Sequence, residues 1–162
     1  MQKFLVILVL LLLFGTNVYA KDLKFTKIID LDKPWGSSFI SDDEMIITEK
    51  SGKIKIINIQ NGNVTKIDHN LNFLESGQGG LLDIIYKNNY IWISYTENRG
   101  NSETSTSIAR GKFNKNKINF KNIFQANPPI DSGFHFGSRL AIKDDYIFAS
   151  VGERGQGMIA QD

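Results

Sequence analysis

Two short stretches of the sequence combine polar side chains with glycines, as ligand-binding loops often do. The first covers residues 77–83 (GQGGLLD), and the second covers residues 135–140 (HFGSRL). His135 is the strongest candidate for catalysis, because imidazole titrates near neutral pH and suits a general base. Gln78 has two interpretations, since its amide could hydrogen-bond a ligand or could only tie down a glycine-rich turn.

The residues alone also allow a structural interpretation of His135. It could pack as a core histidine between Phe134 and Phe136, and no partner for catalysis is evident in the sequence. His69 lies in the polar segment 68–70 and is expected to be solvated. Residues 77–80 are not a phosphate loop, because no Lys-Ser/Thr pair follows them. The sequence contains no serine-nucleophile elbow, metal-ligand cluster or Rossmann fingerprint.

Short β-strands are the elements that must position these residues. Three segments repeat a strand, a polar pair and a second strand, and the pairs are Asp42-Asp43, Asn88-Asn89 and Asp144-Asp145. Asp and Asn tolerate the positive φ that two-residue hairpin turns require. The repeat lies close to the period of about 40 to 50 residues that is typical of four-stranded propeller blades. We therefore predict an all-β chain forming about two and a half blades of a β-propeller, rather than a sandwich of three unrelated hairpins.

The remaining strands can be placed coarsely. Outer strands are predicted over residues 53–58 and 64–67 in the first blade, and over residues 106–113 and 118–124 in the second. The longer second repeat predicts an inserted loop over residues 98–105. The first strand of each blade lines the central channel of a propeller. Residues 77–83 and 135–140 lead into such strands, and we expect them at the mouth of the channel.

The N-terminus has the three-part pattern of a secretory signal peptide. Lys3 precedes an apolar run over residues 4–14, and the segment Val18-Tyr19-Ala20 offers a small residue at the cut. The run is too short to cross a bilayer core, which needs about 20 residues. We predict a signal peptide over residues 1–20, a mature chain over residues 21–162, a periplasmic or secreted location and no stable membrane anchor. The net charge is only +2, and the lysines are scattered among acidic residues, so the sequence does not indicate a nucleic-acid-binding surface.

An ordered set of motifs resembles one family. The set is Pro34-Trp35-Gly36, Thr48-Glu49-Lys50-Ser51-Gly52-Lys53, Gln78-Gly79-Gly80-Leu81-Leu82-Asp83, Ser94-Tyr95-Thr96-Glu97, Ala109-Arg110-Gly111, His135-Phe136-Gly137-Ser138-Arg139-Leu140, Gly152-Glu153-Arg154-Gly155 and Ala160-Gln161-Asp162. Together these motifs are similar to the glucose/sorbosone dehydrogenases, especially the periplasmic aldose sugar dehydrogenases. The resemblance spans almost all of the predicted mature chain.

The resemblance implies a six-bladed propeller that binds pyrroloquinoline quinone (PQQ) with the help of calcium. His135 would contact the sugar and take the proton of its anomeric hydroxyl while hydride passes to the quinone, which gives a lactone. Gln78 would contact both quinone and sugar, Arg154 would contact the cofactor, and Arg139 would be structural. The calcium ligands and most quinone-binding cations of the family come from later blades. These 162 residues are therefore expected to be an N-terminal part that is inactive alone; the external electron acceptor stays open.

Three residues depart from the family pattern. Ser138 stands where Gly is common, Glu153 stands where Asp is usual, and Phe134 stands where some glucose-specific members carry Asp. The last difference argues against strict glucose specificity. The same fold also occurs in proteins that are not oxidoreductases. The alternative is therefore a non-catalytic exported propeller that binds a sugar or a protein partner.

Overall fold

Eleven β-strands and one short 3-10 helix make up residues 23–161, the part of the chain that the computed structural model describes. The strands are β1 (Pro34–Phe39), β2 (Glu44–Glu49), β3 (Lys53–Asn58), β4 (Val64–His69), β5 (Leu81–Lys87), β6 (Tyr90–Gly100), β7 (Glu103–Lys112), β8 (Lys117–Ile118), β9 (Lys121–Gln125), β10 (Gly137–Lys143) and β11 (Tyr146–Val151), and the helix is Gly157–Gln161. The predicted signal peptide lies outside the described residues. Within residues 23–161, no helix has the length and apolar character needed to span a membrane.

The strands form three sheets that correspond to two blades and the first hairpin of a third. The first sheet has the order β1-β2-β3-β4-β8, and the second has the order β5-β6-β7-β9. The third consists of β10 and β11. Consecutive strands within each blade are antiparallel, which confirms the predicted hairpins, and the short β8 is parallel to β4.

The sheets are arranged around a shared axis by their first strands. Strand β1 contacts β5, and β5 in turn contacts β10. Alternation of side chains explains how the blades pack: in β3, Ile54 and Ile56 point into the core, whereas the side chain of Lys53 stays half-exposed. The core between the first two blades consists of Ile46, Ile54, Ile56, Ile67, Leu81, Ile84, Ile91, Ile93, Tyr95, Ala109, Ile118 and Phe120. These observations confirm the all-β propeller prediction.

Two of the three predicted hairpin turns are correct in detail. Lys87 pairs with Tyr90 across Asn88 and Asn89, whose φ angles are 52° and 62°. Lys143 likewise pairs with Tyr146 across Asp144-Asp145, and Asp144 has a φ of 53°.

The first predicted turn is wrong in its length. The last strand pair there is Phe39 with Met45, and the Ile40 amide donates to the Glu44 carbonyl at 2.9 Å. Asp42 and Asp43 therefore lie inside a wider loop rather than forming a two-residue turn. The Glu44 amide also donates to the Ser41 hydroxyl, which stabilises the wider form.

Two further expectations about the second blade are corrected. Residues 98–105 are not an inserted loop, because β6 and β7 continue through them as a longer hairpin closed by Asn101 and Ser102 at φ 50° and 65°. Residues 118–124 are not one strand. They divide between β8, which pairs with β4 of the first blade, and β9, which pairs with β7. Apolar Ile118 and Phe120 are thereby buried in the core shared by the two blades.

Candidate active site

The two predicted loops meet through a direct hydrogen bond. The amide of His135 donates to Oε1 of Gln78 at 2.9 Å, and the amide of Gln78 donates to the carbonyl of Gly133 at 2.7 Å. These loops precede β5 and β10, the first strands of neighbouring blades. Residues that are 57 positions apart in the chain are therefore brought together at one end of these strands.

His135 has an exposed imidazole rather than a core side chain. Its side chain is 55% exposed, which excludes the packed core interpretation. Phe136 beside it is buried, whereas Phe134 is exposed. His69, by contrast, is not simply solvated as expected. It is half-buried, its Nε2 lies 2.8 Å from the Gly52 carbonyl, and its Nδ1 accepts from the Leu71 amide.

Glu153 is the partner of His135. A hydrogen bond joins a carboxylate oxygen of Glu153 to Nδ1 of the imidazole. That hydrogen bond holds the pKa of Glu153 below its ordinary value, and the amide of Gly155 acts in the same direction. The carboxylate is thus ionised at neutral pH and accepts from Nδ1–H. This fixes the tautomer, so that Nε2 is the nitrogen available to take a proton.

Arg154 is buried behind the loop that carries His135. Nε donates to the carbonyl of Phe134 at 3.0 Å, and Nη1 donates to the carbonyl of Thr104 at 2.8 Å. Nη2 donates to the Thr104 hydroxyl at 2.7 Å and to the carbonyls of Ile130 and Ser132. The guanidinium also lies 3.8 Å from the centre of the Phe136 ring. Burial lowers the pKa of Arg154. Its assignment to a cofactor stays a prediction.

Close backbone contacts require glycine at two positions around this loop. A Cβ on Gly152 would lie 1.8 Å from the carbonyl oxygen of His135. A Cβ on Gly77, whose φ is 53°, would lie 2.3 Å from the carbonyl oxygen of Gly133. Any larger residue would therefore displace the loop that holds the imidazole.

Hydroxyl groups of the second blade hold the backbone of residues 136–138, which follow His135 in the chain. Thr106 Oγ1 donates to the carbonyl of Phe136 at 2.6 Å, and Ser94 Oγ donates to the carbonyl of Ser138 at 2.7 Å. The buried carboxylate of Asp83 accepts from the amide of Leu140 at 2.8 Å. The start of β10 is therefore anchored to the second blade by side chains.

Two cationic side chains lie next to the loops. Lys50 Nζ donates to the carbonyl of Gly77, beside Gln78. Arg139 on β10 is 79% exposed, and its Nη1 lies 3.3 Å from a carboxylate oxygen of Asp83. Within residues 23–161, no group of three His, Cys, Asp or Glu side chains could hold a metal ion.

Residues 31–162 match the protein family described as glucose/sorbosone dehydrogenase. The chain belongs to that family. A curated relative is the aldose sugar dehydrogenase YliI of Escherichia coli (strain K12), which is 30% identical over 142 residues. That alignment covers 82% of this chain and 38% of the relative, so this glucose/sorbosone dehydrogenase chain spans well under half of the relative's length.

Solved structures of the family share the same fold. The apo form of the soluble aldose sugar dehydrogenase from Escherichia coli superposes with a TM-score of 0.72 at 29% identity, over 78% of this chain and 39% of that one. The PQQ-bound aldose sugar dehydrogenase from Streptomyces coelicolor superposes with a TM-score of 0.72 over 82% of this chain and 42% of that one. At 20% identity, the second likeness shows the fold alone.

Sequence reasoning missed three contributors to this site. Glu153 was noted only for departing from the family pattern, because it is 18 residues from His135 and reaches it across the β10–β11 hairpin. The hydroxyls of Ser94 and Thr106 belong to strands with many Ser and Thr residues, and no spacing singles them out. A hydroxyl at the same place in successive blades would have been the available signal.

Proposed function

We propose that the complete protein oxidises aldose sugars to lactones, with PQQ as the hydride acceptor. The observation that carries this proposal is the exposed His135, whose Nδ1 is bound by Glu153 and whose amide is bound by Gln78. An exposed, oriented imidazole with a free ring nitrogen is what a general base requires. Membership of the glucose/sorbosone dehydrogenase family supports sugar oxidation in general.

The proposed reaction removes a proton and a hydride from the anomeric centre of the sugar. Nε2 of His135 takes the proton of the anomeric hydroxyl, and Glu153 stabilises the imidazolium that forms. A bound quinone would supply the two-electron acceptor for the hydride that leaves the anomeric carbon, so that the sugar loses two electrons in total. Gln78, which shares a hydrogen bond with the His135 backbone, orients the sugar through its amide N–H groups.

The residues at this end of the strands fit part of a PQQ site. PQQ is a planar quinone that carries carboxylates, and it needs amide and cationic donors. Gln78 supplies an amide, while Lys50 and Arg139 supply positive charge near the loops. We propose that calcium and the remaining quinone contacts belong to later blades of the complete protein, as the family resemblance implies.

The direct test is sugar oxidation by the full-length protein. The protein is loaded with PQQ and calcium, and reduction of an artificial dye is followed with a panel of aldoses. We expect dye reduction and formation of the matching lactone. Uptake of PQQ without oxidation of any aldose would refute this proposal and favour a non-catalytic propeller that binds a sugar or a protein.

We also propose that the protein is exported and processed after Ala20, and that residues 21–162 alone are inactive. The N-terminal pattern supports export, and an N-terminus at Lys21 in mass spectra of secreted protein is the expected result. We expect inactivity because the family resemblance assigns the calcium ligands and most quinone-binding cations to later blades. On β11, Tyr146 is 70% and Phe148 is 57% exposed. These aromatic side chains leave the third blade incompletely packed.

A further inference from the structure

The contacts of Arg154 are those of a residue that shapes a loop. Its partners are carbonyl and hydroxyl oxygens of the protein, and the residue is only 5% exposed. A buried charge is costly unless its donors are satisfied. Here all three guanidinium nitrogens donate to protein oxygens, so the charge is stabilised by carbonyl dipoles of the loop and of Thr104 on β7.

The loop held by Arg154 is the one that carries His135. The carbonyls of Ile130, Ser132 and Phe134 all precede His135, and each accepts from the guanidinium. The ring of Phe136, on the other side of His135, lies against the guanidinium face. Both chain neighbours of the imidazole are therefore fixed to one side chain.

The adjacent residue completes the arrangement. Glu153 binds the imidazole ring of His135, while Arg154 binds the backbone around it. Both residues follow β11, and Gly152 lets this segment approach the carbonyl of His135. His135 itself has a φ of 49°, a left-handed conformation that is strained in a non-glycine residue and needs support from its surroundings.

We infer that Arg154 is a positioning residue for His135 and makes no contact with the cofactor. The inference rests on the proposed function, because it assigns His135 the role of base. Arg154 holds residues 130–136 so that the imidazole points outward with its Nδ1 on Glu153. A lysine cannot replace it, since one ammonium group cannot reach carbonyls that surround a planar guanidinium.

The experiment measures kcat, KM and PQQ affinity in full-length Arg154→Ala and Arg154→Lys variants. Misplacing a catalytic group by about 1 Å can cost on the order of 10²-fold in rate, so we expect kcat to fall by about 10²-fold in both variants. PQQ affinity should stay at the wild-type value. Added guanidinium ion should restore part of the kcat of Arg154→Ala and leave Arg154→Lys unchanged.

Two further variants control for stability. Arg110→Ala also removes a guanidinium stacked on aromatic rings, 4.9 Å from Tyr90 and 5.1 Å from Trp92, but away from the loop. It should keep the wild-type kcat. Thr104→Val removes one hydrogen-bond acceptor of Arg154 and should lower kcat by less than Arg154→Ala does. This variant keeps the inference testable if Arg154→Ala does not fold.

Amide hydrogen exchange tests the role of Arg154 independently of activity. Measured without PQQ or sugar, amide exchange over residues 130–138 should accelerate in Arg154→Lys, while exchange over residues 44–58 stays unchanged. Unchanged exchange over residues 130–138, or a loss of PQQ affinity that matches the loss of kcat, would overturn the inference. If the wild type oxidises no aldose, the proposed function fails, and the exchange arm still decides the role of Arg154.

Discussion

Three non-glycine residues with positive backbone φ angles lie around the candidate base. His135, Ser138 and Arg154 have φ values of 49°, 100° and 58°, and the three residues lie in or beside one loop. Non-glycine residues rarely adopt such conformations, and they are kept where the surrounding structure holds them in place. Here the hydrogen bonds from Ser94, Thr106 and Arg154 to neighbouring carbonyls provide that support.

Replacing Ser138 tests this strain at a single residue. The side chain of Ser138 is buried at a φ that glycine adopts easily, while its carbonyl keeps the bond from Ser94. Ser138→Gly should therefore raise the free energy of unfolding by up to about 1 kcal/mol, because relief of strain exceeds the added chain entropy. Chemical denaturation of the full-length protein measures the change. A loss of stability would show that the conformation is not strained.

The partners of the candidate base differ in how far sequence could predict them. The contact between Gln78 and His135 follows from two loops that precede first strands of neighbouring blades, and the blade repeat was visible as three hairpins. The Glu153 contact depends on the geometry of the β10–β11 hairpin and the approach of Gly152, neither of which leaves a periodic signal. The orientation of Arg154 depends on a loop with no regular structure.

A repeated hydroxyl contact links the strands of successive blades. Thr48 on β2 accepts from the amide of Gly36 and donates to the carbonyl of Leu82 in the next blade. Ser94 on β6 accepts from the amide of Asp83 and donates to the carbonyl of Ser138 in the next blade. Each hydroxyl therefore hydrogen-bonds a backbone amide of its own blade and a backbone carbonyl of the following blade. In both blades the amide lies at an irregularity in the pairing of the first strand, β1 or β5.

Removing one of these hydroxyls should destabilise the propeller. Ser94→Ala leaves the buried amide of Asp83 and the carbonyl of Ser138 without their partner. We expect a loss of about 1 to 3 kcal/mol in the free energy of unfolding, the cost of an unsatisfied buried polar group. Thr65→Ala on the exposed side of β4 is the control and should cost less than about 1 kcal/mol. Equal losses in both variants would refute the role of the contact.

Glu49, at the end of β2, makes the first blade sensitive to acid. Burial raises its pKa, but the hydrogen bonds from Lys55 and the amide of Asp32 outweigh burial and hold the pKa below the ordinary 4.5. Because the folded-state pKa is depressed, the carboxylate stabilises the fold above about pH 4.5, and this contribution is lost as the pH falls through the lowered pKa.

The Glu49→Gln variant tests the sign of this effect. At pH 7 it should lose about 1.5 to 3 kcal/mol in unfolding free energy, because Lys55 loses a charged hydrogen-bond partner. The difference from wild type should shrink as the pH is lowered below 4.5. Asp68→Asn removes the exposed pair with Lys66 and should change stability by less than about 1 kcal/mol. A pH-independent difference for Glu49→Gln would contradict this account.

The strands themselves were largely predictable, and the exceptions have physical causes. Alternating apolar residues mark β3 and β4, and the pairs Asn88-Asn89 and Asp144-Asp145 mark the later hairpins. Residues 118–124 were misassigned because Ile118 and Phe120 look like one apolar strand, although they fill the core between two blades. The burial of these residues between two sheets depends on how the blades pack, and it leaves no local pattern in the sequence.

At the scale of the whole molecule, the open row of blades formed by residues 23–161 exposes apolar surface on its first and third blades. Trp35 and Phe39 on β1, and Tyr146, Phe148 and Val151 on β11, are all between 45% and 70% exposed. Burial of apolar surface stabilises a fold by about 25 cal/mol per Å², and these exposed side chains do not contribute that stabilisation. Residues 21–162 expressed alone should therefore bind a hydrophobic dye and lack a sharp thermal transition, in contrast to the full-length protein. A cooperative transition in the isolated piece would disprove this.

The most direct test of the central claim is the kcat of the full-length His135→Ala variant with an aldose that the wild type oxidises. A positioned base contributes about 10²- to 10⁴-fold in rate, so kcat should fall by that factor. PQQ affinity should remain at the wild-type value, because Gln78, Lys50 and Arg139 are untouched. A His135→Ala variant that retains the full wild-type kcat would contradict the assignment of His135 as the base.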